Sequence, residues 1–155
     1  KAYSSVLYDL TIVGATPAVP AIGPTPGGTI LEAEDAVAGD SQQPLRTEAT
    51  GYTGRGYLEF AHTLDPRRVV WSYDAPADGT YALEFRYAIR RGLVTESDLT
   101  INGAKRPLRL WPTGGAASWA WDRIIVTLRR GPNRIELRPG AVVNLDHLNV
   151  LPWGP

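Results

Sequence analysis

The sequence has no cysteine and no methionine. The first absence removes disulfides, thiol nucleophiles and cysteine-ligated zinc together. It leaves the compartment open, and a domain outside the cell without disulfides would need another staple, of which a bound ion is one. A chain that opens on Lys1 and lacks methionine reads as a processed chain or an excised piece. Charge is not in excess either: sixteen basic and sixteen acidic residues cancel. No nucleic acid and no membrane is therefore expected as a partner. No run approaches the ~18 apolar residues of a membrane span, and no signal-peptide pattern opens the chain. Helical periodicity is missing too.

What is present suits one soluble domain with a short appendage: 155 residues, 43% hydrophobic and 21% charged. Residues 1–14 hold a strand-like run from Val6 to Val13, read as the terminal strand of an upstream domain or a tag-like extension. Residues 15–28 are rich in proline and glycine, which support neither ladder nor helix, so they read as a semi-extended linker. Residues 29–155 form the main domain. Its pattern is short strands punctuated by turns. Tyr81, Leu83, Phe85 and Tyr87 alternate onto one face, and Asn102-Gly103 is a tight-turn signal. Arg130 to Asn133 turns one strand into the alternating run Arg134 to Arg138, and Val142 to Leu151 is the last strand. The expected fold is all-β, an antiparallel sandwich.

The first strand carries Glu32 and Glu34. On a strand they project from one face with α-carbons roughly 7 Å apart. Carboxylates that close repel unless a cation or a proton intervenes. Calcium, with six to eight oxygen ligands in loose geometry, meets the need, and Asp146 of the last strand is a third donor if the first and last strands adjoin. A solvated sheet edge accounts for the same spacing. A glycosidase pair fits poorly, because neighbouring positions on one strand leave little room for a sugar between them. His62 and His147 have no zinc-like spacing and read as structural. Strict alternation turns His147 away from the Asp146 face.

Trp111, Trp119 and Trp121 fall within eleven residues, around the flexible stretch 113–118. A flat ring covers the C–H face of a pyranose while amides and charges bond its rim. Trp111 and Trp121 read as exposed and Trp119 as core packing. Tyr52, beside Gly51 and near Gly54, reads as a loop aromatic that touches ligand. Arg55 lies between Gly54 and Gly56, and Arg106 and Arg109 flank the tryptophan region. Guanidinium forks suit a uronic acid carboxylate.

Several elements, in order, resemble the carbohydrate-binding modules of families 6 and 35. These are Leu31-Glu32-Ala33-Glu34-Asp35-Ala36, Gly51 to Leu58, Ala77 to Leu83 with Arg86-Tyr87-Ala88, Thr100 to Gly103, Pro112 to Gly115, Trp119, Leu128 to Ile135 and Asn144-Leu145-Asp146. The resemblance spans about residues 29–152 and implies a jelly roll with a structural calcium and a sugar site in loops at one end. It implies Glu32, Glu34, a carbonyl near Arg46, and Asp146 as calcium ligands, with Tyr52 and Asn144 at the sugar. Counting back from Leu128, Trp119 takes the place of the packing tryptophan and Ala116 that of the stacking ring. Trp111 or Trp121 is then expected to supply the platform.

The resulting expectation is a secreted, monomeric, non-catalytic module that binds polysaccharide or oligosaccharide, with or without acidic sugars. It would target a glycoside hydrolase or polysaccharide lyase domain in the same parent chain. The competing readings are a spacer or adhesion sandwich with a lost sugar site, and a polysaccharide-degrading enzyme.

Overall fold

The computed structural model of the chain describes residues 25–38, 44–60, 68–90, 92, 94–140 and 142–154. The run 1–14 and the first part of the linker lie outside the described residues. Eleven strands and no helix occur among the described residues. They are β1 (Thr29–Glu32), β2 (Val37–Ala38), β3 (Leu45–Arg46), β4 (Tyr57–Phe60), β5 (Val69–Ala75), β6 (Gly79–Ala88), β7 (Thr95–Ile101), β8 (Ala104–Leu110), β9 (Ala120–Leu128), β10 (Gly131–Arg138) and β11 (Val143–Pro152).

All pairings are antiparallel, and the strands form the two sheets of a sandwich. The first sheet runs β3-β4-β11-β6-β9, with β1 also on β11; the second runs β2-β5-β10-β7-β8. The first strand therefore lies beside the last, as expected. β4 pairs with residues 143–145 of β11 and β1 with residues 147–150. Period-two alternation builds the core: Leu83, Phe85 and Tyr87 of β6 pack with Leu99, Ile135, Leu137, Leu145, Leu148 and Val150, all essentially without solvent contact. Each such side chain contributes about 1.5–3 kcal/mol by leaving water. The β7–β8 hairpin closes on Asn102 and Gly103, both at positive φ (49° and 86°), which a two-residue type I′ turn requires. The Asn102 side chain accepts from the Arg134 backbone N–H and donates to Asn133 Oδ1, joining two neighbouring turns.

The outward face of the first sheet is polar, and cross-strand register sorts it into rows. Glu32, His147, Arg86 and Trp121 occupy one row across β1, β11, β6 and β9. Ile30, Asn149, Glu84 and Arg123 occupy a row closer to the other end of the sheet. Glu84 is fully buried because four partners cover it: Arg123, Asn149 Nδ2 (2.8 Å), and the backbone N–H and hydroxyl of Thr25 (3.1 and 2.7 Å). The last residues of the proline-rich segment thus lie against the sheet. Gly28 passes so near the Asn149 amide that a β-carbon there would collide with it.

Candidate functional site

The acidic group forms where β1, β11 and the loop after β3 meet. The register of β11 against β6 shifts between Leu145 and His147, a bulge that places Asp146 and His147 side by side on the outward face. Leu145 and Leu148 both stay in the core. This corrects the expectation from alternation: His147 shares the face of Asp146. Its Nδ1 lies 3.0 Å from Asp146 Oδ2, 3.8 Å from Glu32 Oε2 and 2.7 Å from the Thr53 hydroxyl. Ligand atoms of Glu32, Asp146 and His147 lie within 4.8 Å of one another.

Asp146 is wholly buried and heavily bonded. Its Oδ1 accepts from the Thr53 backbone N–H (3.0 Å), and Oδ2 from Arg86 (2.5 Å) and the His147 ring. Burial pushes its carboxyl up, but the hydrogen bonds from His147, Thr53 and Arg86 outweigh it and hold the group below its usual value. Glu32 goes the other way. Burial raises it above the usual carboxylate range; Thr53 and His147 pull down, while Glu34 and Asp146 push up. The backbone at Glu32 is fixed by a hydrogen bond from the Trp71 indole to its carbonyl (3.2 Å), and Ala33 N–H donates to the Asp146 carbonyl (2.9 Å).

Two observations test whether this group fits a cation. Glu34 Oε1 accepts from the Arg55 backbone N–H (2.6 Å), but Glu34 Oε2 is buried without a partner. A buried, unsatisfied carboxylate oxygen is costly unless something positive meets it. Gly54, at φ +62°, supplies the room: a β-carbon there would collide with Glu34 Oε1 and press on the Glu32 carboxyl. The carboxylates converge on a spot kept open by the missing side chain, and their oxygen donors suit a hard divalent ion. His147 is the third member of the group whose donor atoms could hold an ion; its Nδ1 also meets Asp146 and Thr53, and its Nε2 is buried and unpaired. The Arg46 carbonyl lies against Gly56, two residues beyond Gly54, and the Arg46 side chain pairs with Glu59 at 2.9 Å.

Beside this group runs an aromatic wall. Tyr52 and Tyr57 rings lie 5.9 Å apart, Tyr57 and Trp119 5.5 Å apart edge to face. Arg86 carries its charge over Trp119 at 5.3 Å and over Trp121 at 5.8 Å. Trp119 is only half-buried, and its indole N–H donates to the Thr50 carbonyl (2.8 Å). It faces the loop of Tyr52 rather than the sandwich core. Trp121 is the buried one, 8% accessible, stacked edge-on against His147 at 4.9 Å. The expected burial of these two tryptophans is thereby reversed, Trp121 being covered and Trp119 the more open. The physical reason is the row of four outward residues: Trp121 sits opposite Arg86 and is covered by its neighbours, while Trp119 precedes β9 and lies over the 50–53 loop.

The other expected residues fall around this wall in different ways. Asn144 is nearly buried and donates to the Ala116 carbonyl (3.0 Å), which anchors the tryptophan loop to β11. Trp111 is 41% accessible at the end of β8, its backbone N–H held by the Tyr87 hydroxyl. Arg55 is exposed and paired with Asp35 at 2.5 Å; Arg109 is exposed and paired with Glu96 at 3.2 Å. Thr53, Tyr57 and Arg86 join the site although the sequence gives them no role beyond membership of the Gly51–Leu58 and Arg86–Ala88 elements. The chain does carry a signal for the bulge: the core series Val143, Leu145 changes phase to Leu148, Val150.

No family model matches the chain. It is 31% identical over 130 residues to a cycloisomaltooligosaccharide glucanotransferase of Niallia circulans, covering 81% of this chain and 13% of that enzyme. The chain therefore spans a small fraction of the curated relatives it matches. Among solved structures it is similar to a family 35 carbohydrate-binding module from Clostridium thermocellum, with TM-score 0.73, 30% identity and coverage of 81% of this chain and 98% of that one. It is also similar to "Xyl-CBM35", solved in complex with a glucuronic acid-containing disaccharide, with TM-score 0.70, 27% identity and coverage of 81% and 94%.

Proposed function

The chain belongs to family 35 of the carbohydrate-binding modules, a non-catalytic binding domain, and we propose that it grips polysaccharide at the Tyr52–Trp119 wall and holds an appended glycan-active catalytic domain on it. The observation that carries this reading is the half-buried Trp119 ring, set edge-on to Tyr57 beside Tyr52 and polarised by Arg86. Such a ring covers the C–H face of a sugar, and the tyrosine hydroxyl and the loop carbonyls meet its rim, while Asn144 positions the loop through the Ala116 carbonyl. Trp111, exposed at the other side of the 112–118 loop, extends the platform.

A structural calcium belongs to the same reading. Glu32, Glu34 and Asp146 would hold it, with the Arg46 carbonyl as a further oxygen donor. The ion would neutralise the clustered carboxylates and fasten β1, β11 and the Tyr52 loop together, so that the wall is preorganised. Arg55 and Arg109 already pair with acids, so a carboxylate-bearing sugar at this end would compete with Asp35 or Glu96 for them. The parent protein is read as secreted and the module as monomeric, working by tethering: weak single-site binding raises the local concentration of the catalytic domain.

The test is binding by tryptophan fluorescence and calorimetry against dextran, chitosan, glucuronoxylan and polygalacturonate, with calcium and with a chelator. Saturable, calcium-dependent binding to at least one polymer is expected. Silence across all four would leave the spacer reading in its place.

A further inference from the structure

At the opposite end of β8 and β9 from the tryptophan loop, about 20 Å of strand away, a cleft of about 330 Å³ opens between the outer strands of the two sheets. Its lining includes Ile101, Ala104, Arg106, Val126, Thr127 and Arg129. Ile101 and Val126, 6% and 7% accessible, form an apolar floor where the core reaches the open edge of the sandwich. Leu108 and Leu110 of β8 are buried, so alternation directs Arg106 to the inner side of its strand, toward the gap. Arg129 leaves the end of β9 on the other wall. Among the described residues neither guanidinium takes part in a salt bridge, a condition they share with Arg130 and Arg138 but not with Arg86, Arg109 or Arg123.

An inward charge on an edge strand blocks sheet-to-sheet aggregation. Lys105, Pro107 and Arg109 already guard β8, however, and Arg129 lies beyond β9. Two cationic forks at the rim of an apolar floor, with Thr127 on the outer lip, make a site for a ring that carries an anion. The floor suits the C–H face, Thr127 a ring hydroxyl, and the guanidinium pair a carboxylate in two-point geometry. We propose that this cleft is a second saccharide subsite that selects the carboxylate of a uronic acid residue. The inference rests on the chain being a saccharide binder, but it uses none of the residues of the Tyr52–Trp119 wall.

The experiment is NMR on the intact chain, following the arginine side-chain N–H signals during titration with sodium glucuronate. Methyl glucoside and sodium chloride at matched ionic strength are the controls. Saturable shifts at Arg106 and Arg129 with glucuronate alone are expected. The R106Q/R129Q double variant should weaken that binding about tenfold or more, with near-ultraviolet circular dichroism unchanged. R106K/R129K keeps the charge without the fork and should also bind more weakly. Glucuronate shifts confined to residues around Tyr52 and Trp119 would overturn the second site while leaving the first standing. Equal shifts with chloride, or undiminished binding by the lysine pair, would overturn the two-point contact.

Discussion

His147 and Asp146 are consecutive residues that face the same side of β11, with Nδ1 3.0 Å from Oδ2, because the strand bulges between Leu145 and His147. In an unbroken strand one of them would enter the core. The bulge instead delivers an imidazole and a carboxylate to the point where β1 and the Thr53 loop converge. A single extra residue thus assembles the network that fixes the edge of the aromatic wall.

Removing Asp146 therefore strands several donors at once. Arg86, the His147 ring and the Thr53 backbone N–H all point at its two oxygens. Asp146→Ala is expected to cost about 3–5 kcal/mol in urea unfolding, since it leaves buried charge without its counterpart. His147→Ala, which removes one donor and the edge contact with Trp121, should cost less than Asp146→Ala. Equal stability of Asp146→Ala and wild type would show that the network is incidental.

The sandwich itself is legible in the sequence. Alternating apolar residues from Tyr81 to Tyr87 and the Asn102-Gly103 turn follow from local chemistry, whereas the pairing of first and last strands enters only as a condition for Asp146 to join Glu32 and Glu34. The relative burial of the tryptophans is not legible, because Trp119 and Trp121 have the same parity and identical chemistry. Which one is covered depends on how Trp119 meets the Thr50 carbonyl and Arg86, contacts between residues remote in the chain. Thr53 escaped notice for the same reason: its partners Glu32 and Asp146 lie 21 and 93 positions away. The Asp146 bulge was visible in principle, in the three-residue step from Leu145 to Leu148, but strict alternation hides it.

Calcium should stabilise the chain through the carboxylates around Gly54. At a concentration one hundred times its dissociation constant an ion that binds only the folded state adds about 2.7 kcal/mol. A higher melting temperature with calcium than with a chelator is expected, and Glu32→Gln/Glu34→Gln should abolish the difference. Gly54→Ala should diminish it as well, because the new β-carbon collides with Glu34 Oε1 and the backbone there sits at φ +62°. A calcium increment that survives both changes would place the ion elsewhere.

Sugar binding should depend on the wall and not on the buried indole's neighbours alone. Tyr52→Ala and Trp119→Ala are each expected to weaken binding to the best of the tested polysaccharides by about tenfold, the equivalent of ~1.4 kcal/mol. Tyr52 is partly exposed, so its substitution should leave the melting temperature within a few degrees. Calorimetry beside thermal unfolding separates the two effects. Binding that falls with Trp111→Ala but not with either of these would shift the platform to the far side of the loop.

The Glu84 cluster gives stability a pH dependence whose sign is fixed by its partners. Burial alone pushes this carboxyl up, but the hydrogen bonds from Thr25, Asn149 and Arg123 together bring it below its ordinary 4.5. A carboxylate depressed in the folded state contributes stability that is fully present above its unfolded value and is lost as pH falls through its folded value. Wild type should therefore lose stability as the solution is acidified below 4.5. Glu84→Gln should be less stable at pH 7, where Arg123 loses its counterion, and should fall off less steeply in that acidic window. Trimming the chain to begin at Thr29 removes both Thr25 bonds, so the carboxyl should titrate closer to its ordinary value and the acid slope should flatten. Urea midpoints measured from pH 7 to pH 3 decide it: parallel curves for wild type and Glu84→Gln would mean that this buried carboxylate does not set the acid limb.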